Sequence, residues 1–290
     1  SLSRAFGGRL ADEMLALQTR APVDLRVNTL EAARPNVIVA LKAEGFAAEA
    51  TPWSPVGIRI PPGEGSAMLA KSQLFLSGAF EFQDEAAQLA SLLAGAKPGM
   101  RVLDLAAGAG GKALAMAATM SNQGEILAFD DVAKRLAPLA ERAARAGASC
   151  ITLAQGRGGP LWGNGKFELV FLDAPCSGTG TWRRQPEVRW RLTPERLAEL
   201  MKLQDWLLDD AARHTAVGGR LVYATCSLLP DENEDRVEGF LARNPAFSRG
   251  KAAWAHDSQT PAIPGLDRDF RASPAQTGTD GFYCAWLERR

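Results

Sequence analysis

The chain has no excess of charge, few cysteines and no long apolar run, and each shortage closes off a class of protein. Lysine plus arginine (33) equals aspartate plus glutamate (33) across the 290 residues. Bulk electrostatics therefore offers no attraction to nucleic acid, and an anionic partner has to be met by a local patch. The four cysteines, Cys150, Cys176, Cys226 and Cys284, fall without CxxC spacing. That argues against a zinc site or any other bound metal and, with no signal peptide, against a secreted disulfide scaffold. A reducing, cytoplasmic location is expected. No apolar stretch approaches the roughly 20 residues of a membrane helix, so a membrane is not an expected partner. The two histidines, His214 and His256, sit in no motif and are expected at the surface. The chain starts at Ser1 rather than Met, as a processed or trimmed chain does. Hydrophobic residues make up 46% of it, enough to bury a sizeable core in one large domain or two smaller ones, and a monomer is expected.

From Val102 onward, short apolar runs alternate with longer helical patterns, the mark of βαβ units. The expected strands are "RVLDLAA", "EILAFDD", "CITLAQ", "ELVFLDAP", "GRLVYATCS" and "GFYCAWLE". Between them, "GGKALAMAATM", "AKRLAPLAERAARAG" and "PERLAELMKLQDWLLDDAARHTA" place apolar residues three and four apart, as amphipathic helices do, with Gly147 and Gly218 as helix stops. A doubly wound, mostly parallel α/β sheet follows, in which ligands collect beyond the carboxyl ends of the strands. Residues 1–80 differ. "DLRVNTL", the helix-like "PNVIVALKAEGF" and the Pro/Gly-rich "TPWSPVGIRIPPGEG" predict a small α+β module, leaving 81–290 to the larger domain.

Two features carry chemistry. In "VLDLAAGAGGKA" a strand runs into a glycine-rich turn and a helix, where close backbone approach and unpaired N–H groups suit an anionic ligand. A third glycine is missing at Ala113, so the dinucleotide fingerprint is poor, although Asp130 follows Gly108 at about the 20-residue spacing of a ribose-binding acid. A nucleotide or nucleoside cofactor fits this pattern; the alternative is a tight turn with nothing bound. The second feature is a pair of thiols, Cys176 in "LDAPCSGTG" and Cys226 in "YATCSLLPDENED", each at the carboxyl end of an expected strand. Cys150 and Cys284, inside expected strands without polar company, read as core. "PDENEDRVEGFLARN" reads as a helix opened by Pro230, with Asp231 and Glu234 suited to a capping box.

Taken together, "RVNTL", "FQDEAAQLA", "DLAAGAGGK", "DAPCSGTGTWRR" and "YATCSLLPDENE" resemble the Sun/Nop-type (Fmu-like) RNA (cytosine-5) methyltransferases over nearly the whole chain. The resemblance implies a class I methyltransferase (Rossmann-like) fold and S-adenosyl-L-methionine as cofactor. By the same resemblance Ala106, Ala107, Gly108, Ala109, Gly110, Gly111 and Lys112 hold the methionine end, and Asp130 binds the ribose. Gln155 stands where an acid usually meets the adenine region, Ala109 where a proline is usual and Ala113 where a threonine often stands. Cofactor binding is still expected, since an amide can both donate to and accept from an adenine edge.

Cytosine carbon-5 is a weak nucleophile, so a thiolate has to add to carbon-6 first. The family resemblance assigns that attack to Cys226 and help in release to Cys176. Asp173 matches the acid beside the ring's N3 and exocyclic amine and borders the cofactor, while Lys112 is expected to meet the cytosine or a nearby carboxylate. RNA is the expected partner, ribosomal in preference to transfer RNA, with an unpaired or flipped-out cytosine as the target. Its contacts are expected from Trp182, Arg183, Arg184 and Arg189 in the cluster "TWRRQPEVRWRLTPER"; a solvated arginine face over inward-packed tryptophans is the alternative. Arg26 and Asn28 of "RVNTL" serve either packing or RNA. A non-catalytic RNA-binding assembly factor on the same fold is the second functional reading.

Overall fold

Alternating apolar residues in "VDLRV", "GIRI" and "FEF" build the first sheet of the protein. The computed structural model describes residues 1–63, 65–158, 162, 166–256 and 261–290. Two short helices, α1 (Leu2–Phe6) and α2 (Leu10–Ala16), precede β1 (Val23–Val27), α3 (Arg34–Ala43), β2 (Glu49–Ala50) and β3 (Gly57–Ile60). The one-turn helices α4 (Ser66–Leu69) and α5 (Gln73–Leu76) lead to β4 (Phe80–Phe82). The strands pair antiparallel in the order β2-β3-β1-β4, with Leu25 opposite both Ile58 and Phe82. One face carries Leu25, Ile58, Ile60 and Phe80 into a core that α3 closes with Val37 and Leu41. This sheet runs across residue 80 and ends at Phe82.

The chain then enters α6 (Glu85–Leu93), whose start is capped by Asp84 accepting from the Ala86 N–H at 2.9 Å. There follow β5 (Arg101–Asp104), α7 (Gly111–Thr119), β6 (Glu125–Ala128), α8 (Ala133–Leu136), α9 (Pro138–Arg145), β7 (Ile151–Leu153) and β8 (Phe167–Asp173). The last part holds α10 (Val188–Arg191), α11 (Pro194–His214), β9 (Thr215–Thr225), α12 (Glu234–Arg243), β10 (Phe247–Arg249), β11 (Phe270–Ala272), α13 (Pro274–Thr277) and β12 (Phe282–Arg289). The eight-stranded sheet has the order β10-β12-β9-β8-β5-β6-β7, with β11 also paired to β12. The five strands from β9 to β7 are parallel; β12 lies antiparallel to β9. Alternation along β8 sends Leu169 and Phe171 to the face covered by α6, α7 and α9, and Val170 and Leu172 to the face covered by α11 and α12. The doubly wound α/β fold expected from the sequence is thus present. Among the described residues no helix is long and apolar enough to cross a membrane.

Several local expectations are corrected. Gly218 does not stop a helix: α11 ends at His214 and passes directly into β9, and Gly218 (φ 75°) lies inside that strand. Pro138 divides the expected second helix into α8 and α9, because proline cannot donate the hydrogen bond that would join them. The helix after Cys226 starts at Glu234, not Pro230. Its expected capping pair is committed elsewhere, Asp231 to the Ser1 hydroxyl and Glu234 to Arg271. Both histidines are half-buried: His214 stands 3.7 Å from Asp210 with its ring 4.7 Å from that of Trp162, and His256 packs against Trp254.

Candidate active site

The glycine-rich turn leaves the end of β5 and opens α7. Gly110 caps that helix in the left-handed region (φ 82°), and a Cβ there would stand 2.1 Å from a Leu139 methyl, so glycine is required on both counts. Gly108 (φ 52°) faces open space. Asp130, just beyond β6, is tied to the turn: its carboxylate accepts from the Gly108 N–H at 3.1 Å and from the Val132 N–H at 2.8 Å. Ala106, Ala107, Gly108 and Gly111 are partly exposed along the crevice and Ala109 is exposed, its carbonyl accepting from Arg142 at 2.5 Å. Gln155 is exposed beyond the end of β7. Free helix-end N–H groups suit a carboxylate, while the carboxylates around them suit an ammonium or sulfonium. The methionine end of S-adenosylmethionine carries all three charges, so these residues fit it.

Lys112, on the first turn of α7, donates to Asp173 at the end of β8 at 2.5 Å, and its ammonium lies 5.3 Å from the centre of the Phe282 ring. Behind this pair stands Asp104, at the end of β5, fully buried. Neither of its carboxylate oxygens completes a hydrogen bond, although the Ala113 backbone N–H favours its charged form. Burial pushes its pKa from 3.8 up to about 7; Lys112 pulls against that rise and Asp173 adds to it. Burial also disfavours the Lys112 ammonium. Asp173, by charge and by hydrogen bond, with Asp104 and Cys226, more than restores it and leaves the pKa above its ordinary value.

The two thiols come together. Cys176 Sγ lies 3.3 Å from Cys226 Sγ, within hydrogen-bonding distance. The contact with Cys226, then burial, then the negative charge of Cys226 and Glu232 push the Cys176 thiol well above its ordinary range. Either thiol can donate to the other at this distance. Their loops are locked by Glu232, which has no exposed surface. Its carboxylate accepts from the Ser177 N–H at 2.8 Å, the Ser227 hydroxyl at 2.5 Å, the Gln204 amide at 3.0 Å and the Ser177 hydroxyl. Gly180 meets Gly281 so closely that a Cβ would fall 2.2 Å from the Gly281 oxygen, and its N–H donates to the Cys226 carbonyl at 2.9 Å. Of the other thiols, Cys284 is buried in β12 and Cys150, just before β7, is partly buried against the core.

The expected RNA cluster divides. Arg183 is not on a free face: only 4% of its side chain is exposed, with bonds to Asp280 (2.6 Å) and the Gly278 carbonyl (3.3 Å). Arg184 binds Asp280 at 2.5 Å, Asp84 at 3.0 Å and the Pro22 carbonyl at 2.9 Å. These two arginines clamp the end of α13 to the N-terminal region. Arg189 is exposed, over the exposed Trp190 ring at 4.6 Å, and Trp182 is half-buried. Arg26 and Asn28 are buried. Arg26 donates to Gln83 at 2.6 Å, and Asn28 donates to the Gly78 and Ala146 carbonyls at 3.0 and 2.8 Å, so both serve packing.

Sequence reasoning missed Asp104, Glu232 and Phe282. Asp104 stands in the quoted strand "VLDL", and an acid in an otherwise apolar buried run was the signal for it. Glu232 was visible only as one of several acids in "PDENED".

Residues 91–288 match the family described as 16S rRNA methyltransferase RsmB/F, and residues 1–63 match the Methyltr_RsmF/B-like, ferredoxin-like domain. The chain is 37% identical over 276 residues to the ribosomal RNA small subunit methyltransferase B of Pseudomonas syringae pv. tomato, covering 92% of this chain and 59% of that protein. It is 34% identical over 294 residues to the 28S rRNA (cytosine-C(5))-methyltransferase of Mus musculus, covering 93% and 63%. It thus spans about six tenths of the length of these curated relatives. A methyltransferase homolog protein from Pyrococcus horikoshii superposes with a TM-score of 0.81 at 28% identity over 100% of this chain and 93% of that one, and the shared fold is that of class I methyltransferases. By family match, extent and fold, the chain belongs to the 16S rRNA methyltransferase RsmB/F family.

Proposed function

We propose that this chain transfers a methyl group from S-adenosylmethionine to carbon-5 of a cytosine in RNA, through a covalent bond between Cys226 and carbon-6 of the ring. The observation that carries this reading is the pair of thiols 3.3 Å apart at adjoining strand ends, in a crevice that also holds the Lys112–Asp173 ion pair. S-adenosylmethionine, held at Gly108–Gly111 and Asp130, supplies an electrophilic methyl group. The Lys112 ammonium interacts electrostatically with Cys226. Cys226 adds to carbon-6, and Asp173 accepts from the exocyclic amine while the Lys112 charge stabilises the electron density pushed onto the ring. Once carbon-5 carries the methyl group, a base or solvent takes its proton, the carbon-5/carbon-6 double bond re-forms and the carbon–sulfur bond breaks, the electron pair leaving on Cys226. The Cys176 thiol, 3.3 Å from Cys226, donates to and stabilises the departing thiolate.

The relatives' names point to ribosomal RNA in preference to transfer RNA. Arg189 and Trp182 supply RNA contacts, the module that ends with β4 at Phe82 approaches the RNA, and the remainder forms the catalytic domain of a monomer. Two thiols this close need a reducing compartment such as the cytoplasm to stay free. The test is covalent trapping on RNA under denaturing electrophoresis. Cys176→Ala should accumulate a denaturation-resistant protein–RNA complex, and Cys226→Ala should form none and transfer no labelled methyl. An adduct from the Cys226 variant and none from the Cys176 variant would reverse the assignment.

A further inference from the structure

A cavity of about 400 Å³ opens between the end of α2 and the segment after the Thr179–Thr181 turn. Leu17, Thr19, Arg20, Trp182 and Arg189 contribute to its wall, and among the described residues no carboxylate does. In a chain with balanced charge, a wall carrying arginines and no acid is a local excess of one sign. The contrast with its neighbours sharpens this: Arg183, which also lines the cavity, and Arg184 beside it are neutralised by Asp84 and Asp280. Arg20 and Arg189 make no ion pair among the described residues.

Trp182 adds an independent observation. Its indole Nε1–H is buried and has no hydrogen-bond partner among the described residues, which costs free energy unless an acceptor arrives. Trp182 follows directly on the turn whose Gly180 N–H holds the Cys226 carbonyl, so the cavity lies on the same rim as the thiols. A flat ring with an unmet donor, flanked by two unpaired guanidiniums, matches a nucleotide: a base with carbonyl acceptors between phosphates.

We propose that this cavity receives a nucleotide flanking the target cytosine in single-stranded RNA, its base against Trp182 and its phosphates paired by Arg20 and Arg189. The inference rests on the RNA-methylating reading above and adds the end of α2 to the RNA path. It assigns Arg20 a role as a direct phosphate contact.

The test uses the full 290-residue chain, a dye-labelled short single-stranded oligoribonucleotide with one central cytosine, and fluorescence anisotropy over a salt series. Arg20→Glu should weaken binding by roughly tenfold and lower the slope of log affinity against log salt by about one. Trp182→Phe keeps an aromatic face but removes the N–H, and should weaken binding by roughly fivefold. Arg213→Glu makes the same charge change at the far end of α11 and should leave affinity within about twofold of the unmodified chain. Unchanged thermal midpoint and S-adenosylmethionine affinity in each variant establish that the fold is intact. If the unmodified chain binds and methylates RNA while Arg20→Glu and Trp182→Phe bind as tightly, the subsite is refuted and the functional reading stands. If the unmodified chain neither binds nor methylates RNA, both fall.

Discussion

Replacing Asp104 by asparagine should make the protein more stable at pH 8 than at pH 4, relative to the unmodified chain. Asp104 has no exposed surface and no completed hydrogen bond, and burial raises its pKa from 3.8 to about 7. In the unfolded chain the same carboxyl ionises near pH 4. Between those values the folded state retains a proton that the unfolded state has released, so stability falls as pH rises through that window and levels off above it. At about 1.4 kcal/mol per pH unit, the span of about three units costs about 4 kcal/mol. Asparagine cannot ionise and removes this slope. Its own buried amide carries a penalty of about 1–3 kcal/mol, but that penalty is the same at every pH. The diagnostic is therefore the change in the stability difference, measured by urea unfolding at steps between about pH 4 and 8. Asp84, also raised to about 7 by burial and by Asp280, titrates in both proteins and cancels from the difference. A stability difference that stays flat across the range would refute the buried, unpartnered carboxyl.

Glu232→Ala removes the shared acceptor of the Ser177 N–H, two hydroxyls and the Gln204 amide. At about 1–3 kcal/mol per orphaned buried donor, the loss should reach at least about 4 kcal/mol in denaturant unfolding, with Glu232→Gln keeping part of it; an unchanged midpoint would show that the serines find other acceptors. The Arg183→Ala, Arg184→Ala double variant should lose about 3–5 kcal/mol by leaving Asp84 and Asp280 buried beside each other without cations. That loss should be larger at pH 8 than at pH 5, because Asp84, raised to about 7 by burial, carries its charge only at the higher pH. A double variant with ordinary stability but weakened RNA binding would return these arginines to the RNA surface.

Strands were legible in the sequence where an apolar run was long enough to show its period. "ELVFLDAP" became β8, buried on both faces, and "GRLVYATCS" became most of β9. Phe247–Arg249 and Phe270–Ala272, three residues each, are too short to show a period and were not foreseen. The start of β9 was hidden because α11 joins it with no loop, which left Gly218 looking like the usual helix stop. At the site, the glycine turn and both thiols were readable because local sequence places them at strand ends. The ion pairs of Arg183 and Arg184 were not, because the acids that neutralise them stand 96 to 100 residues away at Asp280 and Asp84. Tertiary pairing of that kind leaves no trace in a cluster's own composition.

The same pairing joins the N-terminal region to the candidate site. Glu81 on β4 is buried between Arg142 and Arg145 of α9, and Arg142 also reaches the Ala109 carbonyl in the glycine turn. Arg26 on β1 holds Gln83, whose amide lies 3.6 Å from where a Cβ on Gly111 would stand. Asp84, capping α6, accepts from the Asp280 N–H at 3.0 Å, next to the glycines that brace Cys226. The antiparallel sheet is therefore part of the wall that sets the cofactor turn and the thiol rim, in addition to any RNA it meets. A balanced charge count follows from this use of arginine. Of the arginines on the rim, those paired across the two regions are spent on architecture, and Arg20 and Arg189, which make no ion pair among the described residues, are the two that the proposed nucleotide subsite uses.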